Sequence, residues 1–274
     1  MKTTERIRTV VFDLDDTLID EEATAHASLR AAAAAVPGAD PHELQQAVLS
    51  EARRRWRAGP HYQLCAELGF ASWEGLWSTF GGGHPRLDGL RRWAPSYRRD
   101  TWRSVLAELG VGDAEIAAAC AETFAARQRR GHPLLPGAGA TVRALAGRYR
   151  LALLTNGPPD IQRHKIDGTG LRDCFESVFV SGEVGVAKPD PAVFDMVLEQ
   201  LDATAATTVM IGDNWERDVV GARSAGWSAI WVSAGRPSPG PAIGVPSVHG
   251  VAEIVTLLEE LTGAPGAGHP KVKS

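Results

Sequence analysis

The chain has 274 residues, 23% of them charged, and a formal net charge of −4. That balance offers neither the basic footprint of a nucleic-acid binder nor a membrane-seeking surface, and the length suffices for one large domain or two. The opening MKTTERIRTV has no apolar h-region and no apolar run reaches about eighteen residues, so neither a signal peptide nor a membrane span is expected. Cys65, Cys120 and Cys174 lie far apart and form no CxxC, which argues against a disulfide framework or a zinc site and fits a reducing cytoplasm.

Val10, Val11 and Phe12 read as a buried strand that runs straight into Asp13, Asp15, Asp16 and Thr17. Carboxylates this close together repel one another and resist desolvation. A cation at the strand's carboxyl end would remove that cost, and carboxylate oxygens are what Mg²⁺ prefers; a surface strand-to-turn junction is the alternative. Glu21 to Val36 is Ala-rich and helical. Asp40 then supplies an N-cap and Pro41 a first helical position for a helix through about Trp56. Helical patterns continue at Tyr62–Leu68, Trp73–Phe80, Tyr97–Leu109 and Ala114–Arg130, with Gly81–Gly83 as a loop that lacks the GK[ST] of a nucleotide P-loop. No clear strand is expected between residues 20 and 133.

From Pro136 helices and apolar strands alternate. Helices are expected at Ala138–Ala146, Ile161–Thr169, Ala192–Leu201 and Glu216–Ala225, and strands at Tyr149–Thr155, Ser177–Ser181, Thr207–Asp213 and Ser228–Ser233. A last helix covers roughly Val251–Leu261. Such alternation predicts an α/β chain with a doubly wound, mostly parallel sheet. The first strand belongs to that sheet, which makes residues 1–19 and 135–265 a core domain and residues 20–134 an inserted all-helical cap, with hinges near Ile19-Asp20 and His132–Pro136. Residues 266–274 read as a disordered tail. Trp56, Trp73, Trp77, Trp93 and Trp102 fall in the cap, where packing between short helices is the favoured role.

Ligands in open α/β sheets bind beyond the carboxyl ends of the strands, so Asp13, Asp15, Thr155 and Asp213 should converge on one crevice. Asp218 follows on the next helix, and Lys188 stands on a neighbouring loop in GVAKPDP. The chain carries 24 Arg but five Lys, of which Lys165 and Lys188 alone lie away from the termini. A lysine kept at 188 in such a chain suggests a compact ammonium rather than a planar fork.

In this order, DLDDT, TN, KP and GDNWERD resemble the motifs of the haloacid dehalogenase-like superfamily, specifically its metal-dependent phosphatases with a helical cap over a Rossmann-like core. LTNGPPDIQRHKIDGTGL and SGEVGVAKPDPAVF look most like the branch holding nucleotide and acylneuraminate phosphate phosphatases. The resemblance implies that Asp13 attacks phosphorus to form an aspartyl-phosphate and that Asp15 serves as general acid and then base. It implies Mg²⁺ on the Asp13 and Asp213 carboxylates and the Asp15 main-chain carbonyl, with Asp218 binding directly, through water, or instead orienting Lys188. Thr155, the Asn156 amide and Lys188 would hold phosphate. The substrate is then a small phosphorylated metabolite: a nucleoside monophosphate, a sugar phosphate or a sugar-acid phosphate. No nucleic acid or membrane is expected as partner, and the chain is read as a cytoplasmic monomer or homodimer. A phosphosugar mutase, a 2-haloacid dehalogenase or a non-catalytic binding protein on the same fold are the alternatives; Asp15 favours phosphate, because halide leaves without a proton. The Arg53–Arg57 run reads as a solvated helix face, Arg57 and Arg99 are candidates for a second acidic group of a substrate, and His132 reads as structural.

Overall fold

A computed structural model of the chain describes residues 6–262 except 83 and 241–243. The expected tail lies outside the described residues, as does Gly83 of the glycine loop. Strand β1 (Thr9–Phe12) is followed by helices α1 (Glu21–Ala32), α2 (Pro41–Ala58), α3 (Tyr62–Glu67), α4 (Asp88–Glu108) and α5 (Ala114–Gln128). Then come α6 (Ala138–Ala146), β2 (Arg150–Thr155), α7 (Pro159–Gly168), β3 (Ser177–Val180), a turn of helix α8 (Ser181–Val184), α9 (Pro191–Gln200) and β4 (Thr208–Gly212). A π-helical turn (Trp215–Val220), α10 (Gly221–Ser224), β5 (Ser228–Val232), β6 (Ser247–Val248) and α11 (Ile254–Thr262) complete the order. None of the helices among the described residues is long and apolar enough to cross a membrane.

The six strands form one parallel sheet in the order β3-β2-β1-β4-β5-β6. Strand β1 lies at its centre, with Val11 paired to Ala152 on one side and Met210 on the other. Helices cover both faces, so every residue of β1 is buried and the run TVVF needs no polar alternation. Val10 and Phe12 pack with Leu151, Leu153 and Ile211 on one face, whereas Val11 packs with Leu154, Met210 and Phe194 on the other. The order reverses between β2–β1 and β1–β4. That switch point leaves a crevice beyond the carboxyl end of β1.

The chain leaves and re-enters the sheet region side by side: Ile19 bridges Leu134, Asp20 donates to the Pro133 carbonyl at 2.9 Å, and Leu135 donates to the Leu18 carbonyl at 2.9 Å. Between those points α1 packs on α5 and α2 on α4, around a separate apolar cluster that includes Leu29, Trp56, Trp102 and Phe124. Trp56 anchors it, with ring centroids 5.2 Å from Tyr97 and 5.6 Å from Trp93. Asp40 caps α2 as expected, accepting from the His42 and Glu43 amides.

Three expectations need correction. Trp73–Phe80 is not a helix beyond the 3-10 turn Glu74–Leu76. Its next donors turn elsewhere: the Thr79 amide bonds Asp160, the Phe80 amide bonds the Ser78 hydroxyl, and Phe80 itself adopts φ 53°. Helix α4 begins at Asp88 rather than Tyr97 and carries Pro95 inside it. A proline normally marks a boundary, but Leu90, Ala94 and Tyr97 bury one face on either side of it. The stretch expected as one helix from Glu216 begins as the π-helical turn, which brings Asp218 under the end of β4.

Gly75 permits the close approach of that 3-10 turn to the aromatic cluster. A Cβ there would lie 2.4 Å from Trp56 and 2.9 Å from Tyr97. Gly75→Ala is expected to overpack the cluster and cost about 1–3 kcal/mol, read as a lower denaturant midpoint; an unchanged midpoint would show that the rings have room to move.

Candidate active site

Asp13 follows β1 and its amide continues the ladder to the Ile211 carbonyl at 2.9 Å. Its carboxylate is buried between two partners: Lys188 Nζ donates to Oδ1 at 2.7 Å and the Thr17 hydroxyl to Oδ2 at 3.2 Å. Thr17 also accepts from the Asp213 amide at 3.0 Å, so one hydroxyl ties the ends of β1 and β4 together. Lys188 Nζ lies 2.7 Å from Asp218 as well, forming a buried carboxylate–ammonium–carboxylate triad. Asp218 spends its other oxygen on the Asn214 amide at 2.9 Å. Gly212 makes this possible, because a Cβ there would sit 2.2 Å from the Asp218 carboxylate.

The loop carrying Lys188 is fixed by Asn156. Its side chain accepts from the Lys188 amide at 3.0 Å and donates to the Lys188 carbonyl at 2.8 Å. The structure thus brings Asn156 and Lys188 together, with the Asn156 side chain gripping the loop. Thr155, at the end of β2, is 1% exposed and its hydroxyl has no hydrogen-bond partner among the described residues. A buried orphan hydroxyl here costs free energy unless an external acceptor or donor meets it.

Asp13, Asp213 and Asp218 each offer a carboxylate oxygen, all within 4.8 Å of one another. Burial first, offset by Lys188 and reinforced by Asp218, Asp213 and Asp15, pushes the Asp13 carboxyl up to about 8. Asp213 is likewise raised, by burial and then by Asp218, although Arg236 donates to it at 3.0 Å. Lys188 is raised despite burial, since Asp13 and Asp218 hold its proton. A set of hard oxygen donors with more negative charge than its lysine can balance fits a divalent cation such as Mg²⁺.

Asp15 is placed differently from the metal cluster. Lys165 Nζ donates to its Oδ1 at 2.9 Å and Gln162 Nε2 to its Oδ2 at 2.9 Å, so both oxygens of its side chain are already engaged. Lys165 is fully buried and lies 2.9 Å from Glu21 too, while Glu21 lies 2.9 Å from His132. The sequence reading missed Lys165, Gln162, Glu21 and Thr17. The signal it had was composition, since Lys165 is the other of two lysines away from the termini.

A cavity of about 210 Å³ opens over Asp13, Asp15, Lys188, Asp213 and Asp218, and its far wall brings Gly69, Ala71, Trp73 and Glu74 from the helical segment. Arg57 and Arg99 do not line it: Arg57 is exposed near the end of α2, and Arg99 pairs with its neighbour Asp100. Arg217 stands at the rim instead. A larger cavity of about 520 Å³ lies at the amino ends of β4 and β5, and no carboxylate stands among the described residues of its walls.

A family model described as haloacid dehalogenase-like hydrolase matches residues 7–226. The chain is 38% identical to the phosphoserine phosphatase of Thermus thermophilus over 232 residues, which cover 84% of this chain and 90% of that one. It is 28% identical to N-acylneuraminate-9-phosphatase of Homo sapiens, over 93% of this chain and 95% of the relative. Its backbone is similar to a crystal structure of the Bacillus subtilis HAD-hydrolase YfnB bound to magnesium, with TM-score 0.66 and 23% identity, covering 93% of this chain and 99% of that one. At that identity the structural likeness speaks to the fold.

The Lys165 ammonium is the only basic group that meets both Asp15 and Glu21 among the described ion pairs. Lys165→Met should therefore destabilise by about 3–5 kcal/mol, since it strands the buried Glu21 carboxylate beside half-buried Asp15, and Glu21→Gln added to it should recover part of the loss. Burial opposes ionisation of Glu21, but Lys165 and His132 overcome it and lower its carboxyl from 4.5 to about 2. A depressed carboxyl contributes stability that is present above 4.5 and lost as pH falls toward 2. Denaturation followed across that window should show the loss in the native chain and a smaller loss in Glu21→Gln; parallel curves would contradict the assignment.

Proposed function

This chain belongs to the haloacid dehalogenase-like hydrolases, and from that premise we propose that it is a Mg²⁺-dependent phosphomonoesterase acting on a small phosphorylated metabolite through an aspartyl-phosphate. The observation that carries the reading is the buried Asp13 carboxylate, held 2.7 Å from Lys188 beside a second carboxylate, Asp15, that has its own ammonium. Residues 1–19 and 135–265 act as the catalytic core and residues 20–134 as a cap that closes the cavity. The relatives named for phosphoserine and N-acylneuraminate 9-phosphate support the phosphate ester as the shared feature.

In this mechanism an Asp13 oxygen attacks phosphorus as the bond to the leaving alcohol breaks. Asp15 gives a proton to the departing oxygen, then takes one from the water that attacks the phosphorus of the acyl phosphate, releasing phosphate and restoring Asp13. Lys188 balances charge on nucleophile and phosphate, and Thr155 and the Asn156 main-chain amide receive phosphate oxygens. When bound, Mg²⁺ would be held by the Asp13 and Asp213 carboxylates and the Asp15 carbonyl, with Asp218 beside them, and would supply charge neutralisation. Asp218 orients Lys188 in either case. A dehalogenase would have no task for a second carboxylate beside the nucleophile, so Asp15 favours the phosphatase.

Chelation is expected to stop hydrolysis of an aryl phosphate and Mg²⁺ to restore it. Asp13→Asn should lower kcat by about 10⁴-fold or more while circular dichroism stays native. Lys188→Arg should cost roughly a hundredfold or more, because a guanidinium does not fit between two carboxylates each 2.7 Å from a point charge. Full activity in excess chelator together with dehalogenation of a 2-haloacid would overturn the reading.

A further inference from the structure

The cavity wall is far more acidic than phosphate binding explains. Among the described residues, seven carboxyl side chains line it against two basic ones, Lys188 and Arg217. Six of the seven have a structural or chemical task. Asp13, Asp213 and Asp218 form the cluster around Lys188, and Asp15 is held by Lys165 and Gln162. Asp16 caps α1 by accepting from the Glu21 and Glu22 amides at 3.0 Å each, and Glu21 pairs with Lys165 and His132.

Glu74 is the exception. It stands on the 3-10 turn of the helical segment, is 4% exposed, and lines the cavity beside Trp73. Its Oε2 accepts from the Ala71 amide at 2.7 Å. Among the described residues its Oε1 takes no hydrogen bond and no basic side chain forms an ion pair with it, although the Lys165 ammonium attracts it from farther off. A buried carboxyl in that condition is costly unless something positive or proton-donating reaches it from the cavity.

We infer that Glu74 receives a positively charged amine on the substrate, with the indole of Trp73 alongside it, so that the substrate is a phosphate monoester whose alcohol carries an ammonium group. The inference rests on the phosphomonoesterase reading and narrows it, and it sets aside sugar-acid phosphates, whose carboxylate would meet this acidic wall. Charge complementarity is the first reason: a phosphate dianion adds negative charge to a cavity already rich in it, and a substrate ammonium is the one substituent that offsets this at the wall. The second is the ring, since an indole face attracts a cation once water is excluded. Burial, partly offset by Lys165 and reinforced by Asp15, drives the Glu74 carboxyl up to about 8, so near neutral pH it mostly keeps its proton and would give it up as the ammonium arrives.

The test compares three phosphate esters of matched size: ethanolamine phosphate, ethylene glycol monophosphate and 2-phosphoglycolate, which carry a cationic, a neutral and an anionic end. With Mg²⁺ present, kcat/KM for the cationic ester should exceed that for the neutral one at least tenfold, with the anionic ester lowest. In Glu74→Gln the cationic-to-neutral ratio should fall toward one; should that variant fail to fold, Glu74→Asp, which shortens the reach, should lower the ratio instead. Equal rates for all three, a preference for the anionic ester, or a ratio unmoved by a folded Glu74 variant would overturn the inference. An enzyme that hydrolyses p-nitrophenyl phosphate while failing this comparison leaves the phosphatase reading standing, whereas one that hydrolyses no ester at all defeats that reading itself.

Discussion

A single ammonium buried between two carboxylates organises this site. Lys188 lies 2.7 Å from both Asp13 and Asp218, and its side chain is 1% exposed. Charges so placed are a poor investment for stability alone, because desolvation cancels most of their attraction. They hold together only because neighbouring backbone is fixed to suit them. Asn156 clamps the Lys188 loop through two hydrogen bonds, and Thr17 ties the ends of β1 and β4. Gly212 leaves the space that Asp218 occupies. Parallel pairing of β1 with both β2 and β4 sets those strand ends side by side in the first place.

Around the triad the negative charge remains in excess, and that excess is what gives the pocket its character. Burial first, and then that excess, raises Asp13 and Asp213 above the usual carboxylate range, which favours a bound divalent cation. The second ammonium, Lys165, joins the sheet region to the start of α1 through Asp15 and Glu21. One buried lysine thus touches both the proposed proton donor and the first residue of α1. Glu74 extends the acidic wall from the helical segment, where neither lysine pairs with it.

Much of this was legible in the chain. Asp13, Thr155 and Asp213 stand where apolar strand runs end, and a parallel sheet must bring such ends together. Asp218 was read onto the helix after Asp213, but the π-helical turn that carries it under β4 was not legible. Lys188 stood out because the chain otherwise uses arginine. Lys165 shared that distinction, but its partners Asp15 and Glu21 lie some 150 positions earlier, and only tertiary structure pairs them. Glu74 was hidden for a different reason. Its segment has a helical pattern, and the pattern is overruled by Asp160 and Ser78, which take the next amides. Pro95 misplaced the start of α4 because burial of Leu90, Ala94 and Tyr97 outweighs one lost hydrogen bond. Arg57 and Arg99 were attractive by charge, yet charge alone does not say which way a helix faces.

The central claim is that Asp13 becomes covalently phosphorylated during turnover. Enzyme quenched in acid while hydrolysing a phosphate ester with Mg²⁺ present, then digested and read by mass spectrometry, tests it directly. The peptide spanning Val10 to Leu18 should carry a phosphoryl group on Asp13, lost on treatment with hydroxylamine as expected of an acyl phosphate. An enzyme that turns over with that peptide unmodified, or with the phosphoryl group on another residue, would contradict the account.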